Sequence, residues 1–255
     1  MTTNSILKPL LFGALLVPFT SANAAFNLIE AFDGLTPGAL DTQNGWTSGA
    51  EYTVVADPSG GGGQVLQYTA GAQSGAFKPV GASAIPDGAT GTLFARFRFE
   101  TTANANFGFA ESAAPSAYGD FRVQINRQNG TPIKGRDGGG FQDLSPLADN
   151  AGTWYNLWVV ADNGTDTSRV FIQSDDDAAF ATQTEVAPPD GTLNFRVPAD
   201  GPLGTLYLRS QEGTAYFDDF YVSAGSDLSN PTIPEPSAAL FSLLGASFLL
   251  RRRRG

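Results

Sequence analysis

The side chains able to do chemistry in this sequence are defined first by what is missing. There is no histidine and no cysteine. Ser-His-Asp catalysis, imidazole base catalysis, thiol chemistry, disulfides and most zinc sites are thereby removed. Carboxylates, Tyr, Lys, Arg and oxygen-ligated cations such as Ca²⁺ remain. One acidic pair stands out, Asp218–Asp219 in AYFDDFYVSA. On a regular strand Asp218 shares a face with Tyr216, Phe220 and Val222, and a carboxylate on an apolar face needs a partner. A calcium ion or an arginine would serve. The other acidic runs read as surface: Asp175 to Asp177 follow a strand, and DNGTD at 162–166 has hairpin-turn chemistry in an order unlike an EF-hand loop. The glycine run at 59–63 is not followed by Gly-Lys-Ser/Thr, so it is no phosphate loop.

A second constellation is basic and planar. Arg96, Arg98, Arg122, Arg196 and Arg209 fall on the polar side of alternating segments, and Tyr118, Gln124 and Asn126 continue the Arg122 face. Brought onto one sheet, these residues form a concave surface of planar donors beside an aromatic ring, suited to an acidic glycan. Scattered over several surfaces, they are cross-strand ion pairs with the abundant Asp and Glu.

The elements that must position them are strands. Short runs rich in Val, Phe, Tyr and Thr recur at 51–57, 64–70, 91–100, 106–112, 118–128, 131–137, 153–163, 168–175, 192–198, 204–211 and 215–224, separated by Gly, Pro, Asn and Asp. Hairpin spacing of this kind predicts an all-β, antiparallel two-sheet sandwich. The alternation assigns faces: Leu93, Ala95, Phe97 and Phe99 inward against Arg96, Arg98 and Glu100, then Phe121, Val123 and Ile125 inward against Arg122, Gln124 and Asn126. WYNLWVVAD at 154–162 is apolar on both faces, which marks a strand covered on both sides or lining an aromatic surface.

Three segments, AFDGLTPGALDTQNGW (31–46), TWYNLWVVADNGTDTSRVFI (153–172) and AYFDDFYVS (215–223), resemble in their order the concanavalin-A-like lectin/glucanase sandwiches, above all the LamG-type branch. The resemblance implies a jelly roll whose first and last strands lie close together. In related sandwiches a closing-strand Asp helps bind a structural Ca²⁺ with ligands from the N-terminal segment, which here implies Asp218 with Asp33. Glucanases of this fold carry a catalytic E-x-D-x-x-E strand, whose close carboxylate pair retention requires. The seven glutamates here, at 30, 51, 100, 111, 185, 212 and 235, are scattered, and none stands two residues before an Asp.

The two ends read as addresses. Lys8, the apolar stretch from Leu10 to Phe19 and the small residues Ala22 and Ala24 form a signal peptide, residues 1–24, with cleavage after Ala24. At the other end, residues 226–233 form a linker. Pro234, Glu235 and Pro236 precede a 14-residue apolar run, Ser237–Leu250, and then Arg251, Arg252, Arg253 and Arg254. As a helix, rising about 1.5 Å per residue, that run would be roughly 21 Å long. The hydrocarbon core is about 30 Å thick, so this is a weak stop-transfer segment, its arginines held on the cytoplasmic side. Residues 234–255 resemble the PEP-CTERM sorting signal in order, spacing and position. That resemblance implies a Gram-negative bacterium producing extracellular polysaccharide, and an exosortase-type protease that cuts near Pro-Glu-Pro.

With both ends set aside, the body at 25–233 keeps 10 of 15 basic and 24 of 25 acidic residues, a net charge of −14, which argues against nucleic-acid partners. The sequence therefore predicts an N-terminal signal helix, a jelly-roll body at 25–225 and a short C-terminal hydrophobic helix. The expected course is export, transient inner-membrane insertion through the C-terminal helix, then residence in the envelope, at the surface or in the extracellular matrix. Expected partners are signal peptidase, an exosortase and extracellular polysaccharide. The expected role is a non-catalytic glycan-binding or structural module, with a polysaccharide hydrolase or lyase on the same fold as the alternative.

Overall fold

The computed structural model describes residues 25–60, 62–69, 71–144, 151–188 and 191–232. The expected signal peptide with Ala22 and Ala24, and the expected sorting signal from Pro234 to the arginines, lie outside the described residues. Among the described residues no helix is long and apolar enough to cross a membrane.

The described strands are, in chain order, β1 Asn27–Glu30, β2 Gly38–Ala39, β3 Thr47–Ser48, β4 Tyr52–Ala56, β5 Gln64–Thr69, β6 Ser74–Pro79, β7 Thr90–Phe99, β8 Asn104–Ala110, β9 Phe121–Arg127, β10 Lys134–Asp137, β11 Gly140–Asp143, β12 Trp154–Asp162, β13 Thr167–Gln173, β14 Thr184–Glu185, β15 Leu193–Asn194, β16 Thr205–Glu212 and β17 Thr214–Ala224. They form two antiparallel sheets. The larger runs β14-β13-β12-β7-β17-β5-β4-β2, with β1 beside β17 and β15 beside β13. The smaller runs β11-β10-β9-β8-β16-β6-β3. The first and last strands pair directly, Asn27 opposite Val222.

Alternation explains the core. Leu93, Ala95, Phe97 and Phe99 of β7 face Phe107 and Phe109 of β8 and Val123 and Ile125 of β9 between the sheets. Phe107 reaches across to Phe97 and Phe217, ring centroids 5.5 Å apart in each case. Burying each such ring stabilises the fold by roughly 1.5–3 kcal/mol. A polar tie also crosses the core. Glu30 of β1 accepts from Lys78 Nζ of β6 at 2.9 Å and from Trp46 Nε1 and Asn44 Nδ2 at 3.0 Å, linking the two sheets. Despite the cost of burial, these donors hold the Glu30 carboxyl below the ordinary carboxylate range.

Two departures from regular alternation matter for the site. Strand β6 points Ala76 and Lys78 inward and Phe77 outward, which is why the sequence did not read as a strand there. In β17 the register against β7 slips between Asp218 and Tyr221, and Asp219 takes a φ of 53°. This bulge adds one residue, so Tyr216 and Asp218 point outward while Phe220 and Val222 point into the core. The apolar face expected around Asp218 is thereby broken.

Strand β12 is covered on both sides, the first of its two expected arrangements. Tyr155, Leu157, Val159 and Ala161 enter the core. On the other side Trp158 and Val160 join Phe94 and Phe171 in an outer cluster covered by Phe26, Tyr221 and Leu228. Trp158 Nε1 donates to the Ser229 carbonyl at 2.8 Å, pinning the segment after β17 to the outside of the larger sheet.

Candidate functional site

The outward face of the smaller sheet carries a depression of about 250 Å³. Its floor comes from β8 and β9. Asn106, Gln124 and Asn126 are each nearly sealed from solvent, at 1%, 2% and 2% exposure. Gln124 Nε2 and Asn126 Nδ2 both donate to Asn106 Oδ1, at 2.8 and 2.6 Å, and Asn106 Nδ2 donates to the Arg209 carbonyl at 3.1 Å. This ladder spends the amide donors on one another. The acceptors Gln124 Oε1 and Asn126 Oδ1 are left with no hydrogen-bond partner. Each buried orphan of this kind costs about 1–3 kcal/mol until a donor arrives.

Gly108 makes the close approach of β8 and β9 practicable. Its φ is 153°, and a Cβ there would lie 2.1 Å from the Val123 carbonyl oxygen. Tyr118 and Phe141 supply aromatic walls, and Asn104, Gln128, Gln211 and Arg196 complete the described rim. Tyr118 is not on β9, as alternation suggested, but in a 3-10 turn, Tyr118–Asp120, just before it. Asp120 holds that turn by accepting from the Ser116 and Ala117 backbone amides at 2.7 and 2.8 Å, bonds that lower its pKa. The Arg209 guanidinium lies over the Tyr118 ring, 5.0 Å from its centroid. Beside the depression Phe121, expected to point into the core with Val123 and Ile125, instead stacks on Tyr207 at 4.4 Å in a separate, fully buried cluster with Phe77 against it, because the β8–β9 register slips at Phe109/Ala110.

Of the residues singled out from the sequence, Tyr118, Gln124, Asn126 and Arg196 line this one depression and Arg209 borders it. Arg122 is on the same sheet, but its guanidinium is engaged by Glu111 through Nε at 3.1 Å and Nη2 at 2.8 Å. Arg96 and Arg98 are elsewhere. They project from β7, on the outer face of the larger sheet, so of the two arrangements left open by alternation the arginines take the scattered one, divided between two faces with Arg96, Arg98 and Arg122 in ion pairs. The reason is topological: after β7 the chain turns at 100–103 and crosses to the smaller sheet as β8. Alternation identifies outward positions on a strand without saying which sheet the strand joins. Asn106, Phe141 and Arg136 were missed. Asn106 alternates with Ala105 and Phe107 in NANFGFA and was legible as outward; Phe141 and Arg136 sit on a short edge hairpin with no periodic signal.

The outer face of the larger sheet holds the acidic pair. Arg96 Nη1 lies 3.5 Å from Asp218 and 3.8 Å from Asp57, with its guanidinium 4.3 Å from the centre of the Trp154 ring. Arg98 pairs with Glu100 at 2.8 Å and lies over Tyr216. Burial, then the neighbouring Asp219, pushes Asp218 up to about 8, against the pull of Arg96. Asp33 accepts from the Gln64 amide at 2.7 Å, and Asp218 from the Asp219 amide at 2.9 Å. Among the described residues no group of three or more His, Cys, Asp or Glu side chains is gathered in a way that could hold a metal ion, while Asp33 is near enough to add to the upward push on both Asp218 and Asp219. The partner of Asp218 is an arginine.

No protein-family model matches the sequence, and no curated protein matches it. Solved structures do. A sialidase aligns with a TM-score of 0.54 at 11% identity over 80% of this chain and 19% of its own, so this chain spans about a fifth of that protein. The catalytic domain of a glycoside hydrolase family 131 protein from Coprinopsis cinerea aligns with a TM-score of 0.52 at 14% identity, over 85% of this chain and all of that domain. The lectin UEA-II, complexed with galactose, gives 0.50 at 11% identity over 80% of this chain and 100% of the lectin. These likenesses establish the fold: a jelly-roll sandwich of the kind shared by concanavalin-A-like lectins and glycoside hydrolase domains. Such folds carry many functions, so the site must carry the rest.

Proposed function

We propose that this chain is an exported, exosortase-sorted protein of the cell surface or extracellular matrix whose body is a non-catalytic glycan-binding module, with the depression on the smaller sheet as its binding site. The observation that carries the reading is the pair of buried orphan carbonyl oxygens, Gln124 Oε1 and Asn126 Oδ1, on side chains that floor a depression with aromatic walls. Sugar hydroxyls are donors that satisfy such acceptors, and sugar rings have apolar faces that stack on Tyr and Phe. The described lining holds no Asp or Glu, so the acid and base of a glycoside hydrolase have no counterparts in it. The lectin and glycoside hydrolase neighbours make both a binder and a polysaccharide-active enzyme plausible on this fold. Export and sorting rest on the two terminal sequences.

A glycan array and a pull-down with the matrix of the producing strain test the reading. Binding is expected, without release of reducing ends or unsaturated products. Gln124→Leu and Tyr118→Ala should each weaken binding about tenfold, the effect of losing one well-made polar contact or one stacking face. Binding unchanged in both variants would place the site elsewhere, and product release would move the chain to the enzyme alternative.

A further inference from the structure

The depression is edged by two cations that have no acidic partner among the described residues. Arg196 lines it. Arg136 projects from β10 on the same outward face, its guanidinium 4.8 Å from the centre of the Phe141 ring, which itself forms a wall. Gly135, its neighbour, faces the core, where a Cβ would meet Leu193 and Leu144, and this fixes the outward direction of Arg136. Arg136 Nε donates to the Gly138 carbonyl at 2.7 Å, leaving the end of the fork uncommitted. Most other arginines on the outer faces are committed: Arg96, Arg98, Arg122 and Arg169 to carboxylates, and Arg209 to Gln73, Tyr207 and the Ser116 carbonyl. Among the described residues neither Arg136 nor Arg196 has an acidic partner, although acidic residues outnumber basic ones by 24 to 10 in the body. Burial, and secondly the charge of Arg196, lower the pKa of Arg136, so the two guanidiniums sense one another. Like charges kept together at a pocket edge, with carboxylates in excess all around, mark the place of a missing anion.

We infer that the ligand is an acidic polysaccharide, held by a uronate carboxylate between Arg136 and Arg196 while neighbouring hydroxyls donate to Gln124 and Asn126. The inference rests on the glycan-binding reading and adds the class of glycan. Planar guanidinium forks match a carboxylate in geometry, whereas a sulfate ester offers charge without that planar match. Aromatic Phe141, a wall of the pocket, stacks under the Arg136 guanidinium and holds it beside the depression.

The experiment is affinity electrophoresis and calorimetry of the full chain against three polymers: a polyuronate, a neutral glucan and a sulfated glucan. The polyuronate is expected to bind at least about tenfold more tightly than the neutral glucan, and less tightly as salt rises. Arg136→Gln with Arg196→Gln should abolish that preference, bringing polyuronate affinity down to about that of the neutral glucan. Arg122→Gln, whose guanidinium is already engaged by Glu111, should leave the preference intact. Arg136→Lys with Arg196→Lys, which keeps the charge and removes the fork, should lose most of it while keeping the fold. Equal binding of polyuronate and neutral glucan, indifferent to the arginine variants, overturns this inference and leaves the glycan-binding reading standing. No binding to any polymer overturns both. Sulfated glucan binding as tightly as polyuronate overturns the carboxylate assignment. Cleavage of the polyuronate to an unsaturated product supports the acidic ligand while assigning the site to the enzyme alternative.

Discussion

Asp218→Asn should stabilise this protein at neutral and alkaline pH and do little in acid. The side chain of Asp218 is 11% exposed, its arginine partner is at a long 3.5 Å, and Asp219 stands beside it. Burial and the adjacent carboxylate raise its pKa from 3.8 to about 8. A carboxyl whose folded-state pKa lies above its unfolded one contributes stability that is complete below the unfolded value and is lost as pH rises through the folded one. The window therefore opens near 3.8 and closes near 8. At about pH 7 the ionisation is roughly three pK units out of place, which at about 1.36 kcal/mol per unit is a penalty of about 4 kcal/mol. Asparagine keeps the shape and removes the titration. Arg96 keeps Asp57 at 3.8 Å and the Trp154 ring, so it is not stranded by the change. For a body of this size about 4 kcal/mol corresponds to roughly ten degrees in Tm. Thermal melts of both proteins across the pH range should converge near pH 4 and diverge steadily toward about pH 8. A constant offset at every pH, or none, would refute the assignment of the penalty to Asp218. The same melts repeated with EGTA test whether Asp218 and Asp33 hold calcium: with Arg96 as the partner of Asp218 no shift is expected, and a calcium-dependent rise lost in Asp218→Asn would assign the pair to a cation site.

Lys78→Met should cost about 3–5 kcal/mol in urea unfolding at neutral pH by leaving Glu30 charged and buried between the sheets. Since the Glu30 pKa lies below the ordinary value of 4.5, the wild-type tie should hold through neutral pH and fail as pH falls below the carboxylate range, which acid unfolding of wild type against Lys78→Met will show. Gly108→Ala should prevent the β8–β9 pairing, because its Cβ meets the Val123 carbonyl at 2.1 Å; native-like hydrogen exchange protection in that variant would contradict the geometry. Protein recovered from the native host should begin at Ala25 and lack Arg251 to Arg254 by intact mass, and a retained arginine tail would count against sorting.

Much of the sandwich was legible because its core strands obey period two. Leu93, Ala95, Phe97 and Phe99 enter the core as alternation requires, and so do Val123 and Ile125. What alternation missed has local causes. Strand β6 hides because its inward position 78 is a lysine, tolerable only because Glu30 waits across the core. The bulge at Asp219 reverses the phase of β17 midway, and nothing in AYFDDFYVSA requires φ to turn positive there. The site was partly legible for a related reason. Gln124 and Asn126 fall on the polar side of a strand whose partner positions are apolar, so their direction was readable. That Asn106 would absorb their amide donors, leaving two acceptors bare, depends on the β8–β9 register of Asn106 against Asn126, which no single strand encodes. Arg96 and Arg98 show the converse: their outward face was readable and their sheet was not.

Sheet assignment also decides how the proposed binding site relates to the proposed sorting. Phe26 packs on the outer face of the larger sheet, against Phe94 and Tyr221 with centroids 6.3 and 6.4 Å away. Leu228 joins the same cluster, and Ser229 is tied to Trp158. Both ends of the described body are therefore fastened on one side of the sandwich, and the depression with its amide floor is on the other. The fastening depends on Trp158 and Phe94 being apolar at outward positions, a choice with no use on a naked sheet surface. Its consequence is directional: a body held through its C-terminal side, in a membrane or on a polymer, turns its polar depression away from the attachment. Trp158→Ala removes the ring and the Ser229 hydrogen bond together, and should free the segment at 226–232 while leaving glycan binding by the isolated protein intact. Protease access at that segment, compared with affinity in the same variant, separates the two roles. Loss of both at once would mean that the sheets communicate and that the division of labour between the faces is wrong.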